Sequence, residues 1–103
     1  MATTRGPLRL PDFSVVIWIR KNERFAAVRS ELLAAANAQP YETTEYQGMA
    51  DFHFAMNSMI DAHQFVEALK AVTERPEVVV VRIMTLVEGV ESVSIKDERV
   101  TKH

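Results

Sequence analysis

Phe13-Ser14-Val15-Val16-Ile17-Trp18-Ile19 is the stretch on which the reading of this chain turns. With one polar residue in seven, it has the character of a central strand whose two faces are both covered. Alternation sends Val15, Ile17 and Ile19 to one side and Val16, Trp18 and Arg20 to the other. Immediately downstream, Asn22 is placed to cap a helix over Glu23–Ala36, in which Phe25, Val28, Leu32 and Ala36 recur at spacings of three and four. Asn37 and Pro40 close that helix. Upstream, residues 1–12 hold Gly6, Pro7 and Pro11 around Leu8 and Leu10 and read as a flexible N-terminal arm.

The same grammar repeats. Tyr41–Tyr46 mixes β-formers with charge, as an edge strand does. Gln47-Gly48 turns the chain into Ala50–Met56, with Phe52, Phe54 and Met56 on one face and Asp51, His53 and Ala55 on the other. A second helix is predicted over Ala62–Glu74, with Asp61 as N-cap, Gln64 completing a capping box, and Ile60 and Phe65 forming a hydrophobic staple. Ala62, Phe65, Val66, Leu69 and Val72 form its apolar stripe, and Pro76 ends it. Val78–Val87 reads as a long strand that Gly89 breaks. Val93 and Ile95, between Ser92, Ser94 and Lys96, suggest a fifth strand, either a hairpin or an exchange with another chain. Residues 97–103 are a polar C-terminal tail. The order strand, helix, strand, strand, helix, strand predicts an α+β protein: a ferredoxin-like βαββαβ two-layer sandwich with an antiparallel sheet over residues 13–96.

At 103 residues, 48% of them hydrophobic and 25% charged, the chain suits one globular domain. A net charge of -2 argues against nucleic acid as a partner, although six basic residues face three acidic ones in the first 40. The absence of cysteine excludes disulfides and thiolate chemistry. Met1 to Pro7 lacks the apolar segment of a secretion signal and no apolar run is long enough to span a bilayer, so a cytoplasmic location without membrane association is expected. No carboxylates stand at ligand spacing for a metal, and no Ser-His-Asp set is present; neither a cofactor nor a catalytic residue is expected.

Two helices cover one face of such a sheet. The opposite face then keeps Val16, Trp18, Ala55, Val80 and Met84, with Trp18 and His53 near each other, while Val79, Val81 and Ile83 join the helix side. An uncovered apolar face marks an interface, and symmetric dimerisation is the expectation. Recognition of RNA by strand aromatics fits poorly, because Asp51-Phe52-His53-Phe54 begins acidic and lacks flanking cations. Arg20-Lys21-Asn22-Glu23-Arg24, where the first strand feeds a helix, suits a carboxylate or phosphate. His53, between Phe52 and Phe54, is a packed interface histidine or a general base; His63, in a first helical turn, reads as a surface residue.

Pro40-Tyr41, Gly48-Met49-Ala50-Asp51-Phe52, the helix Asp61–Val72 and the turn Arg75-Pro76-Glu77-Val78 together resemble the effector-binding domain of the leucine-responsive/asparagine regulator family, across about half of the chain. The related amino-acid-sensing ACT domain has the same strand order. What the resemblance implies is a stand-alone regulatory module, a dimer or larger assembly binding amino acids or other small carboxylates between subunits, with Gly48 and Asp51 near the ligand. The candidate ligand-binding residues are Arg20, Asn22, Gly48, Asp51 and His53. Two other classes share the topology: small cofactor-independent monooxygenases, with Trp18, Asn22 and His53 lining a cavity, and peptide-binding maturation chaperones.

Overall fold

The structure, a computed structural model, describes residues 10–99. The chain runs through β1 (Phe13–Arg20), α1 (Phe25–Ala36), β2 (Glu42–Tyr46), β3 (Met49–Met56), α2 (Met59–Ala68), α3 (Lys70–Thr73), β4 (Val78–Thr85) and β5 (Val93–Asp97). The five strands form one antiparallel sheet in the order β2-β3-β1-β4-β5, with the helices packed on β1, β3 and β4. This is the predicted βαββαβ sandwich, and the fifth strand is a hairpin partner of β4 within the chain. The arm and the polar tail expected at the termini fall mostly outside the described residues; Leu10 to Asp12 and Asp97 to Arg99 lie within them.

β1 is central because only an apolar strand can lie beneath helices on one side and between two strands. Val15, Ile17 and Ile19 are fully buried against Val28 and Leu32 of α1, Ala62 of α2, Leu69 between α2 and α3, and Val72 of α3. Phe52, Phe54, Val81 and Ile83 complete that layer. Burying each of these Val, Leu, Ile or Phe side chains contributes about 1.5–3 kcal/mol before entropy is set against it. Val79 departs from expectation: the register of β1 and β4 shifts between Trp18 and Ile19, so Val78 lies opposite Ile19 and joins the helix-side core in place of Val79. A bulge inserts one residue and so resets the alternation beyond it.

The helix boundaries also differ. α1 begins at Phe25 rather than Glu23, because the Asn22 side chain accepts the Arg24 N–H at 2.9 Å in a turn that precedes the helix. Asn37 closes α1 in the left-handed region (φ 52), its N–H reaching the Leu33 carbonyl at 3.1 Å. α2 starts at Met59, three residues before the predicted start. Its cap is Ser58, whose hydroxyl accepts the Asp61 N–H at 3.0 Å, so Asp61 is a first-turn acid and not the N-cap. Ile60 is 68% exposed and forms no staple. The strong cap three residues upstream moved the helix, and with it the face on which Ile60 lies. The predicted helix also breaks at Leu69, where the chain tightens into the single turn of α3. Gln47 (φ 49) and Gly48 (φ 77) make the two-residue β2–β3 turn with both residues left-handed, the geometry that suits the twist of a hairpin.

Candidate functional site

The register places Val16, Trp18, Ala55, Val80 and Met84 together on the face away from the helices. Val16 and Val80 are buried within the chain itself, Trp18 and Met84 are half-buried, and Ala55 is exposed. Around this centre stand four exposed large side chains: Leu10, Tyr41, Tyr46 and Leu86. Trp18 is the middle of an aromatic group. The Tyr46 ring meets it edge-on at 5.6 Å, and the Arg99 guanidinium lies over it at 5.0 Å. Arg99 is held there by Asp97, to which it donates from Nε at 2.9 Å and from a terminal nitrogen at 2.6 Å. Those hydrogen bonds keep the Asp97 carboxyl below its ordinary value and the Arg99 guanidinium above its own. Burial, with Asp51 nearby, raises the Tyr46 phenol.

Next to the aromatic group is a polar notch. Asp51 lies opposite Trp18 and His53 opposite Val16, so the two are neighbours on the same face of β3. Asp51 is buried, with 8% of the residue exposed. One oxygen accepts the Thr44 N–H at 2.8 Å, and the other faces His53 Nε2 at 3.2 Å. With Nε2 donating to Asp51, a neutral His53 keeps Nδ1 as its acceptor. Tyr41 meets the His53 ring edge-on at 5.9 Å and donates its hydroxyl to Ser14 at 3.3 Å. Beyond them opens a cleft of ≈ 150 Å³ whose apolar wall is Leu10, Pro11, Met84 and Leu86 and whose polar wall is Ser14, Tyr41, Glu42 and His53. Chemically the cleft sets the Glu42 carboxylate and the polar groups of Ser14, Tyr41 and His53 beside an apolar body.

The five predicted ligand residues fall into two groups. Asp51 and His53 form the notch. Arg20, Asn22 and Gly48 gather at the other end of β1, where Lys21 N–H donates to the Gly48 carbonyl at 2.8 Å and Arg20 lies opposite Met49. All three are exposed. Tyr41, Ser14, Glu42, Tyr46 and Arg99 were not anticipated as site residues. The period-2 pattern Glu42, Thr44, Tyr46 carried a signal for part of this group, since those residues share one face of β2; Arg99, outside any strand, carried none. His63 is exposed, as expected. Among the described residues there is no group of three or more His, Asp or Glu able to hold a metal, and no helix is long and apolar enough to cross a membrane. No family model, curated protein or solved structure matches the chain at a significant level.

Proposed function

We propose that the chain is a cytoplasmic small-ligand-binding module of the regulatory kind, dimeric through its open sheet face, with the ligand held at the Asp51–His53 notch. The observation that carries this reading is Asp51 itself. A carboxyl group buried on a sheet face loses hydration, and folding alone gives no reason to keep one there. Here it is fully partnered, aligned with His53, and adjacent to a cleft. A cavity of about 150 Å³ accommodates a molecule of roughly benzene size. The Glu42 carboxylate, with His53 beside it, favours a ligand bearing an amine, and Leu10, Pro11, Met84 and Leu86 favour an apolar body. A small apolar amino acid has both. The resemblance to the regulator effector domains points the same way.

Dimerisation is supported by the exposed Leu10, Tyr41, Tyr46 and Leu86 around the open face. Its charge distribution suits a second copy as well. A two-fold axis parallel to β1 sets the β2–β3 half of one copy over the β4–β5 half of the other. The first half carries Glu42 and Asp51; the second carries Arg82 and the Arg99–Asp97 pair. A ligand at the notch would sit at the edge of that contact and strengthen it, which couples binding to assembly.

The test is thermal unfolding against a panel of amino acids and of their amine and carboxylate fragments, at several protein concentrations. A ligand at a hundred times its Kd stabilises the folded form by about 2.7 kcal/mol. The expected result is a midpoint that rises with protein concentration and with one apolar amino acid, the ligand response being lost in Asp51→Asn. A response unchanged by Asp51→Asn rules out the notch. A concentration-independent midpoint rules out the dimer. Turnover of an activated small molecule, lost in His53→Gln, would transfer the site to the enzyme class, for which the carboxyl-oriented imidazole is the favouring observation.

A further inference from the structure

The helix layer stops short of β2. No helix packs on that strand among the described residues, and all five of its side chains are exposed. On the helix-facing side, Thr43 pairs with Phe52 and Glu45 with Ala50, so these four form a shelf beside α1. Above the shelf, Phe25, Arg29 and Leu33 follow one another at intervals of four on a single face of α1. The connection through Gln39 and Pro40 closes the end. The result is a cleft of ≈ 470 Å³, within the size range of small-molecule sites and on the opposite side of the sheet from the notch.

Its chemistry is distinct from that of the notch. Phe25 and Phe52 stack at 6.5 Å with 27° between their planes and form an apolar wall. Two cations border Phe25: Lys21 at 5.8 Å and the Arg29 guanidinium at 5.3 Å from the ring centre. Lys21 is paired with Glu45 at 2.6 Å; that contact, with a smaller contribution from the Arg29 charge, holds the Glu45 carboxyl below its ordinary value. Arg29 differs: among the described residues no carboxylate lies within ion-pair distance of it. The cleft is thus lined by a planar guanidinium with no carboxylate within ion-pair distance among the described residues, by Ser30 and Gln39, and by the two aromatic rings. A guanidinium fork matches a carboxylate in two parallel hydrogen bonds, whereas the aromatic wall selects a flat apolar body.

We infer that the cleft between α1 and β2 binds an aromatic monocarboxylate, its carboxylate on Arg29 and its ring against Phe25 and Phe52. Glu45, on the same wall of the cleft, is paired with Lys21, which offsets much of its charge toward the ligand. This site stands independently of the notch and of dimerisation.

The experiment titrates the full chain with phenylacetate, and in parallel with its uncharged isostere phenylacetamide, following backbone amide shifts by NMR. Saturable shifts at Arg29, Leu33, Thr43 and Phe52 are expected with the acid and not with the amide. Arg29→Gln replaces an exposed helix residue by another good helix former, so the fold is retained. It should weaken the acid by about tenfold or more, the loss of one charge-assisted contact. Asp51→Asn and His53→Gln should leave that affinity unchanged. Equal binding of acid and amide, an affinity unaltered in Arg29→Gln, or no saturable shift at these residues would each overturn the inference.

Discussion

Along β1, Val15, Ile17 and Ile19 lie under α1 and α2, while Val16 and Trp18, interleaved with them, lie on a face that no helix covers among the described residues. The two faces are built from the same strands and are composed differently. On the helix side every large residue at the centre is apolar and shut away, a pattern that packing alone explains. The open face interrupts its valines with Asp51, His53, Arg82 and an arginine resting on a tryptophan. Packing does not call for that composition. Stability resides beneath the helices, while the open face holds the polar and aromatic groups that packing leaves unexplained.

The largest expected effect tests the helix side. Phe54→Ala removes a 1%-exposed ring that packs on Phe65 at 5.1 Å, and should destabilise the fold by about 3–5 kcal/mol in denaturant unfolding. Trp18→Ala on the open face should cost less, about 1–2 kcal/mol, and should change the concentration dependence of the midpoint, which Phe54→Ala should not. If the two variants behaved alike, the distinction between the faces would fail. Ser58→Ala should lower stability by about 1 kcal/mol through loss of the α2 cap, whereas Ile60→Ser, at an exposed position, should be within about 0.5 kcal/mol of the native chain. A comparable loss in both would restore the staple that the structure lacks.

The smallest effect is a spectroscopic one. Trp18 is the only tryptophan, so its emission reports on the open face alone. The Asp97 carboxyl is held low by its hydrogen bonds from Arg99. Stability from a lowered carboxyl is present above its unfolded value, about 3.9, and is lost as the pH falls through the lower folded value. Trp18 emission should therefore change in that acid window as Arg99 is released. Asp97→Asn should show the released emission already at neutral pH and no acid transition near it. An unchanged transition in that variant would mean that Arg99 is not what covers Trp18.

Much of the architecture was legible from local pattern. The face assignments of β1 and β3, the edge character of β2 and the closing of α1 at Asn37 all follow from periodicity or from the preferences of single residues. The misreadings have local causes too. Asp61 and Ser58 are both competent caps, and choosing between them depends on where the preceding strand releases the chain. Counting in twos puts Val79 on the helix side, and a bulge breaks the count. Of the candidate site, Asp51 and His53 could be put on one face by alternation. Their partners Thr44, Tyr41 and Ser14 come from three separate segments, and no local pattern links those.

The order of the elements and the apolar side of each strand are set by neighbours within a few positions along the chain, and so follow from local pattern. That Asp51 meets His53 and the Thr44 amide, that Arg99 covers Trp18, and that Arg29 lies over Phe25 is visible in no single segment. Those pairings depend on strand register and on where the helix layer ends. Both are settled by burial across the whole sheet, a balance that no single segment carries.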